Sequence, residues 1–360
     1  MKIILKLFFI LAIFYSSSTF ASEKIFHVVT NEPSSDKRAI AFVDTVTGKN
    51  RILEVNMNGE VIWEWDFPDK LVSRTSAICS AADINYLQST DEFLFILPKY
   101  GAFIIGRDGK YKSVVKDNKI THDIDVLPNG NFIYVRGFVN KGEDEVREVS
   151  PSGEIVWRWS HAKYFANRDD FSKIYKKKEL RHLYKSGKLK RNNIDWAHVN
   201  GVERFDNGDT LISIRNFNMF VIVDPKGKPK KIFKDIHRVH EPHRTKFGYI
   251  AADRFRKAKK ILHRVVLISN EEKRKYLLTG KFTTIRSIEQ LKEDRFNITS
   301  VGNIFEIDVD ANIFHRMHLI IDKEDSERDL TNNDFKKTKK LGNGRCAKGA
   351  GSLYKVVKTK

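Results

Sequence analysis

The chain repeats two short sequence units about every forty residues, and this period limits the folds it can adopt. One unit is a turn glycine followed by a strand, as in NGEVIWEWDF at 58–67 and SGEIVWRWSH at 152–161. The other is a pair of apolar alternations joined by a turn, as in HDIDVLPNGNFIYV at 122–135, NGVERFDNGDTLISI at 200–214 and HEPHRTKFGYIAAD at 240–253. Asn-Gly between such alternations predicts a tight hairpin. Each block therefore supplies about four strands, which is typical of a β-propeller.

The blocks predict an all-β fold, a six-bladed β-propeller of four-stranded blades, in a single domain over 22–360. We place the blades at about 39–67, 80–117, 121–161, 197–236, 239–284 and 295–322. GSLYKVV at 351–357 is expected to return as a strand that closes the ring, because closure removes exposed sheet edges. A basic insertion with helix-compatible composition occupies 164–191, either as a solvated surface helix or as a lid that attracts anions.

The N-terminus predicts export. Residues 1–21 combine an early lysine, an apolar run and small residues before a cut after Ala21, which is the pattern of a secretory signal peptide. The run is short for a membrane span, so we expect no stable membrane anchor after cleavage and a location in the periplasm or outside the cell. Cys79 and Cys346 would then meet an oxidising compartment, and the sequence leaves open whether they form a disulfide.

The net charge of the chain limits the classes of partner that it is expected to bind. The formal net charge is +19, which favours anionic small molecules, acidic surfaces or nucleic acid. Export argues against nucleic acid. The chain contains no Gly-rich phosphate loop, nucleophile elbow or paired-cysteine metal motif, so the sequence gives no support to nucleotide binding or to a serine hydrolase.

One register rule brings polar side chains to the same place in three blades. The residues eight positions before Gly130, Gly208 and Gly248 are His122, Asn200 and His240. If this position begins the innermost strand of each blade, the three side chains face the central channel at one end.

The second of these hairpins adds two more candidates. His198 lies two residues before Asn200, on the same side of the pleat. If Asn207-Gly208 forms a two-residue turn, Asn200 lies opposite Arg215. We therefore predict that His122, His198, Arg215 and His240 share the channel mouth. A structural role, with the cations paired to nearby acids, is the alternative.

The tryptophans are expected mainly in core packing between blades, with Trp196 the one that contacts a ligand. The motif HEPH brings His240 and His243 close together, with His237 nearby, but Pro242 prevents the helix that usually presents such a metal-binding pair. We therefore predict no metal site.

At these residues the chain resembles the arylsulfate sulfotransferases, bacterial exported six-bladed propellers. The resemblance lies in HDIDVLPNGN, DWAHVNGVERFDNGDTLISIRN and HEPHRTKFGYIAAD, and covers most of 50–320. It implies transfer of a sulfuryl group from an aryl sulfate to a phenol, without a cofactor, through a sulfo-histidine. By position it implies His240 as nucleophile. His122, His198 and Arg215 would hold sulfate oxygens and assist the leaving phenol, and Asn200 would support them.

The chain departs from the family in Ala252-Asp253-Arg254, where the third hairpin usually ends in Phe-Asp-Asn, and in its shorter length. Both departures concern substrate choice more than chemistry. A sulfuryl group spreads negative charge over its oxygens as the bond to the leaving oxygen breaks, so a guanidinium and fixed donors suit it. A protonated His122 or His198 is expected to give the phenolate its proton. The alternative is a non-catalytic exported propeller that serves as a binding or assembly scaffold.

Overall fold

A computed structural model describes residues 23–30, 39–44, 50–72, 82–98, 100–165, 176, 178, 195–257, 260–280, 284–300, 302–319 and 355–359. The expected signal peptide, Cys79, Cys346 and nearly all of the basic insertion lie outside these residues, so those expectations stay predictions. Among the described residues, no helix has the length and apolar character needed to cross a bilayer.

Within the described residues, twenty-five strands account for almost all of the regular structure. In chain order they are β1 (Phe26–Thr30), β2 (Ala39–Asp44), β3 (Arg51–Asn56), β4 (Val61–Asp66), β5 (Ile84–Leu87), β6 (Glu92–Leu97), β7 (Gly101–Gly106), β8 (Tyr111–Val115), β9 (Ile124–Val126), β10 (Phe132–Val135), β11 (Val146–Val149), β12 (Ile155–Trp159), β13 (Val199–Arg204), β14 (Thr210–Ile214), β15 (Met219–Val223), β16 (Pro229–Lys234), β17 (His240–Thr245), β18 (Gly248–Lys257), β19 (Lys260–Ser269), β20 (Arg274–Gly280), β21 (Ile285–Gln290), β22 (Arg295–Ser300), β23 (Asn303–Asp308), β24 (Ile313–Leu319) and β25 (Val356–Lys358). One short helix, α1 (Asp69–Val72), and two 3-10 turns, His161–Lys163 and Arg215–Phe217, complete the described elements.

The strands form six antiparallel sheets, which confirms the predicted six-bladed propeller. Blade 1 is β25-β2-β3-β4, blade 2 is β5 to β8, blade 3 is β9 to β12, blade 4 is β13 to β16, blade 5 is β17 to β20, and blade 6 is β21 to β24 with β1 added as a fifth strand. The first strand of each blade lies innermost, because β25, β5 and β9 contact one another in turn, as do β13, β17, β21 and β25. These strands surround the central channel.

The hydrophobic core is divided between the blades. Each of the six buried apolar clusters joins two neighbouring blades, from blades 1 and 2 around the ring to blades 6 and 1. Every sheet therefore buries both faces, which explains why strands such as β6, with the sequence EFLFIL, are apolar on both sides.

The two WxW strands, on β4 and β12, pack blade 1 against blade 2 and blade 3 against blade 4, in agreement with the predicted role of the tryptophans between blades. Trp157 and Trp159 on β12 donate their indole N–H groups to the carbonyls of Pro225 and Gly227, each at 3.0 Å, in the β15–β16 turn of blade 4. On β4, Trp63 packs against Phe93 of blade 2, with ring centroids 5.3 Å apart. The repeated unit is thus a repeated interface between blades.

Both ends of the chain contribute to closure. The expected closing strand is confirmed, since β25 pairs with β2 through Ala41 and Val357. β1 was not predicted, and it extends blade 6 by pairing with β24. The sixth blade also begins earlier than expected, at Ile285 rather than near 295. The sequence pattern did not predict its innermost strand, because the turn that follows this strand contains no glycine.

Candidate active site

Three histidines meet at one end of the channel. His122 lies two residues before β9, His198 directly precedes β13, and His240 begins β17, so each is at the start of an innermost strand. All three side chains are buried, with 3%, 8% and 3% of their surface exposed. The rings of His122 and His198 meet edge to face, with centroids 5.1 Å apart. The structure therefore brings together the histidines that the register rule and the repeat motif select.

Two of these histidines occupy a strained backbone conformation. His122 has φ of 68° and His198 has φ of 52°, in the left-handed region that residues other than glycine rarely adopt. Such conformations cost about 1–3 kcal/mol each and are concentrated at functional sites. The fold therefore holds both rings in place at the expense of local stability.

A backbone hydrogen bond fixes the tautomer of His240. Its Nδ1 lies 2.8 Å from the carbonyl oxygen of Arg238, and a carbonyl can only accept. Nδ1 therefore carries the proton of the neutral ring, and Nε2 keeps its lone pair. Nε2 is the atom of His240 that can act as a nucleophile.

The other two rings are held by their neighbours in sequence. His122 Nδ1 is 2.7 Å from the hydroxyl of Thr121, which also accepts the backbone N–H of Gly137 at 3.0 Å. His198 Nδ1 contacts the carboxylate of Asp195. Thr121 and Asp195 are thus positioning residues that the sequence analysis did not select.

Burial keeps the three histidines neutral. It is the largest cause that lowers the pKa of His122, His198 and His240 well below the usual value, and the positive charges of Arg215 and Arg286 lower each of them further. This supports His240 as a nucleophile. It argues against the expectation that His122 or His198 is a protonated imidazolium, because burial and the nearby arginines lower the pKa of both rings.

Arg215 reaches the site from the end of β14, but not by the predicted register. The turn is a three-residue loop in which Phe205 N–H donates to the Asp209 carbonyl at 2.8 Å, and a bulge follows between Val199 and Val202. Asn200 therefore does not face Arg215. Instead, the Arg215 backbone N–H donates to the carbonyl of His198 at 3.2 Å.

Asn200 lies fully buried beneath this ring of side chains. Its Oδ1 accepts the hydroxyl of Ser213 at 2.6 Å, while its Nδ2 has no hydrogen-bond partner among the residues that the structure describes. The amide NH2 group of Asn200 therefore remains able to donate, which is consistent with the supporting role that the resemblance implies.

Arg286 completes the site and was missed by the sequence analysis. The turn after β21 closes with the Leu291 N–H bound to the Arg295 carbonyl at 2.9 Å, as the turn after β13 closes between Phe205 and Asp209. Asp294 therefore occupies the place of the turn glycine, and the residue eight positions before it is Arg286. The register rule would have found Arg286 if the turn had contained glycine.

Two aromatic residues differ from expectation in their placement. Trp196 is 4% exposed and packs against His161 and Phe217, with centroids 5.1 and 5.0 Å away, so the structure puts it in the core between blades 3 and 4 and not at the mouth. Phe138 instead lies at the mouth. Its ring is 41% exposed and is 5.1 Å from the ring of His198.

His243 faces a different environment from His240. Burial lowers the pKa of His243, but its contacts with Glu203 and Glu241 outweigh burial and raise that pKa to about 10. A protonated imidazole cannot bind a metal ion. Among the described residues, no group of three or more histidine, cysteine or acidic side chains is arranged to hold a metal.

Solved structures resemble the fold at low sequence identity. A protein of unknown function from Bacteroides caccae aligns with a TM-score of 0.51 and 13% identity, over 79% of this chain and 94% of that one. A gluconolactonase from Xanthomonas campestris aligns with a TM-score of 0.47 and 7% identity, over 67% and 76%. Virginiamycin B lyase from Staphylococcus aureus aligns with a TM-score of 0.41 and 11% identity, over 67% and 71%. At 13% identity, the similarity to the Bacteroides caccae protein shows a shared fold only.

No curated protein matches the chain. A family model does match, and it spans residues 98–317, more than half of the chain, including all three site histidines, Arg215 and Arg286. The model describes arylsulfotransferase (ASST). With the site geometry and this match together, the chain belongs to the arylsulfotransferase family.

Proposed function

We propose that this protein transfers a sulfuryl group from an aryl sulfate to a phenol, with His240 as the nucleophile. The observation that carries the proposal is the neutral imidazole of His240, whose Nδ1 is bonded to a carbonyl 2.8 Å away. Nε2 thus presents a lone pair at a mouth that also contains Arg215 and Arg286. A neutral histidine beside arginines suits attack on an anionic ester.

The reaction then proceeds in two steps. In the first, Nε2 of His240 forms a bond to sulfur, the bond from sulfur to the aryl oxygen breaks, and its electron pair leaves as a phenolate. In the second, an acceptor phenol loses its proton to the solvent, its oxygen bonds to sulfur and the N–S bond breaks, which restores the neutral ring. No cofactor enters either step.

The positive charges at the mouth suit this chemistry. Arg215 and Arg286 can hold the sulfuryl oxygens, on which negative charge concentrates as the ester bond breaks. Because His122 and His198 are neutral, we infer that arginine charge rather than a proton from histidine stabilises the leaving phenolate. The exposed ring of Phe138 gives the aryl group a surface for stacking.

We also propose that the protein acts in the periplasm or outside the cell. The signal-peptide pattern of residues 1–21 supports this location. Mass spectrometry of protein recovered from the exported fraction tests it, since cleavage after Ala21 leaves Ser22 as the first residue. An intact Met1 terminus on all of the protein would contradict export by this route.

The activity is tested with 4-nitrophenyl sulfate in the presence and absence of phenol. We expect release of 4-nitrophenolate together with phenyl sulfate. Without an acceptor, a rapid quench should yield protein heavier by one sulfuryl group, mapping to the peptide that contains His240. His240→Ala should abolish both signals, because the bond between nitrogen and sulfur then has no nitrogen to form on, whereas His122→Ala and His198→Ala should still gain the sulfuryl group.

His27→Ala is the matched control, because His27 lies on β1 at the outer edge of blade 6, far from the mouth. It should transfer sulfate like the unaltered protein. A correctly folded protein that neither releases nitrophenolate nor gains mass would favour the non-catalytic scaffold. A label on another residue would exclude His240 as the nucleophile.

A further inference from the structure

Two arginines, Arg238 and Arg254, lie near His240 on blade 5. Arg238 is exposed, and its carbonyl accepts the hydrogen bond from His240 Nδ1. Arg254, near the end of the described part of β18, is half-buried, and its backbone N–H donates to the carbonyl of His237 at 2.7 Å. Arg254 is therefore next to Arg238 across the first hairpin of blade 5. We call Arg238 and Arg254 the rim pair.

The rim pair has no carboxylate partner within the described part of the chain. Neither guanidinium makes an ion pair there within 4.0 Å. The nearest acid in sequence, Asp253, is already used. Its Oδ1 accepts the backbone N–H of His237 at 2.8 Å, and its Oδ2 accepts both Nε and Nη2 of Arg264, at 2.8 and 2.6 Å.

Adjacent like charges destabilise a β-hairpin, so the fold gains nothing from the rim pair in the unliganded state. Burial lowers the pKa of Arg254, and the nearby charges of Arg238 and Arg286 lower it further. The guanidiniums of Arg238 and Arg286 are therefore close enough to repel that of Arg254. A bound anion would remove the repulsion.

Depth separates the rim pair from the reacting group. His240 is 3% exposed and lies within the channel mouth, whereas Arg238 is exposed at its edge. A sulfuryl group at Nε2 of His240 thus lies deeper than the rim pair. A donor whose sulfuryl group reaches Nε2 of His240 would direct its aryl ring outward, toward the exposed Phe138 on blade 3 and the rim pair on blade 5.

We propose that the rim pair binds a second anionic group, a carboxylate, on the aromatic ring of the sulfate donor. The inference rests on the proposed function and adds the class of donor to it. The planar guanidinium of an arginine can donate two parallel hydrogen bonds to the two oxygens of a carboxylate, which a lysine ammonium cannot. The second arginine of the rim pair adds a further positive charge. The departure from the family at Arg254 supplies one half of the pair.

Paired donors test this specificity. The compounds are 4-carboxyphenyl sulfate and its neutral isostere 4-carbamoylphenyl sulfate, with phenol as acceptor. We expect kcat/KM to favour the carboxylate donor by about 10-fold or more, which is the size of a charge-assisted hydrogen bond. In Arg254→Gln the preference should fall to near unity, while kcat/KM for the neutral donor should stay within about 3-fold of the original.

Arg244→Gln is the matched control. Arg244 is exposed near the other end of β17, so the substitution removes the same charge without touching the rim. If Arg244→Gln lowers the preference as much as Arg254→Gln does, the effect is one of overall charge and the rim site is excluded. Equal kcat/KM for the two donors in the unaltered protein would also overturn the proposal.

Binding without reaction separates this inference from the proposed function. 4-Sulfobenzoate and benzenesulfonate cannot donate a sulfuryl group, and their affinities are measured by titration calorimetry. We expect tighter binding of 4-sulfobenzoate, lost in Arg254→Gln. If neither aryl sulfate is turned over and this preference persists, the proposed function fails and the rim site stands. If turnover occurs without any binding preference, the rim site fails alone.

Discussion

His240 donates its Nδ1 hydrogen to the carbonyl oxygen of Arg238, 2.8 Å away, on a residue that is held at φ of 49°. The left-handed conformation of Arg238 places it where the chain enters β17. One turn therefore sets the tautomer of the proposed nucleophile and carries one member of the rim pair. Chemistry and donor recognition are linked through two residues of one segment.

The pH dependence of sulfuryl transfer should follow the lowered pKa of His240. The neutral ring is the reactive form, and because burial lowers its pKa well below 6.5, His240 stays neutral as the pH falls past that value. We expect the rate of protein labelling to stay level from about pH 8 to about pH 6.5 and to fall only in more acidic solution. Rapid-quench mass measurements across this range test it. A midpoint at or above 6.5 would contradict the neutral assignment.

Arg215 should contribute to the transition state more than to binding. Arg215→Ala is expected to lower kcat/KM by about 100-fold, corresponding to about 3 kcal/mol, by analogy with the loss of one oxyanion donor. Arg215→Lys should recover only part of the loss, because lysine keeps the charge but not the planar fork. Steady-state kinetics with 4-nitrophenyl sulfate measure both variants. An alanine variant that changes KM alone would assign Arg215 to ground-state binding.

Gly137 should be required for the position of His122. A methyl group there would lie 2.7 Å from the Thr121 hydroxyl, 2.8 Å from His122 Nδ1 and 2.8 Å from the Val199 carbonyl, all closer than real contacts allow. Gly137→Ala should therefore displace the ring and lower kcat/KM by about 10-fold or more, through lost positioning.

The control for Gly137→Ala is Gly106→Ala. The nearest neighbour of its added methyl group would be the Asp108 side chain, at 3.1 Å, which can move aside. Thermal melts separate misfolding from misplacement. If Gly137→Ala stays folded and transfers sulfate at the original rate, close packing of His122 is not needed for catalysis.

Lys355 should stabilise ring closure in a pH-dependent way. Its buried Nζ lies 3.1 Å from Asp83 Oδ1 and 3.7 Å from Asp123 Oδ1, directly before β25. Burial raises the pKa of both aspartates to about 7 although Lys355 opposes this. Because the folded protein binds these two protons more tightly than the unfolded chain does, they contribute to the free energy of unfolding. This contribution is complete below about pH 3.8 and is lost as the pH rises through about 7.

Lys355→Met removes the charge that compensates these carboxylates. We expect it to lower the free energy of unfolding by about 3 kcal/mol at about pH 8, and by less at about pH 5, where the carboxyl groups are protonated at smaller cost. Denaturant melts at both pH values measure the loss. Lys358→Met, which alters a half-exposed lysine at the end of the adjoining strand β25, should change stability little. An equal loss at both pH values would contradict the electrostatic explanation.

Local sequence patterns predicted the propeller and three of the four equivalent positions of the site, namely His122, Asn200 and His240 but not Arg286. Hairpins depend on turn residues and on alternation within about fifteen positions, which is local information, so the repeat predicts the blades and places His122, Asn200 and His240 at equivalent positions. Where the local signal was absent, the prediction failed. Asp294 stands in place of a turn glycine, and both the inner strand of blade 6 and Arg286 were missed.

Tertiary structure decided the rest, because it depends on groups that are distant in the chain. The bulge that separates Asn200 from Arg215 accompanies a hydrogen bond of 2.7 Å from Val202 N–H to Asp123 on the neighbouring blade. The neutral state of the histidines results from burial and from arginines contributed by blades 4 and 6. The local sequence pattern selects which residues reach the channel mouth. Their protonation states, their hydrogen-bond partners and the charges around them depend on contacts between blades, which exist only in the closed ring.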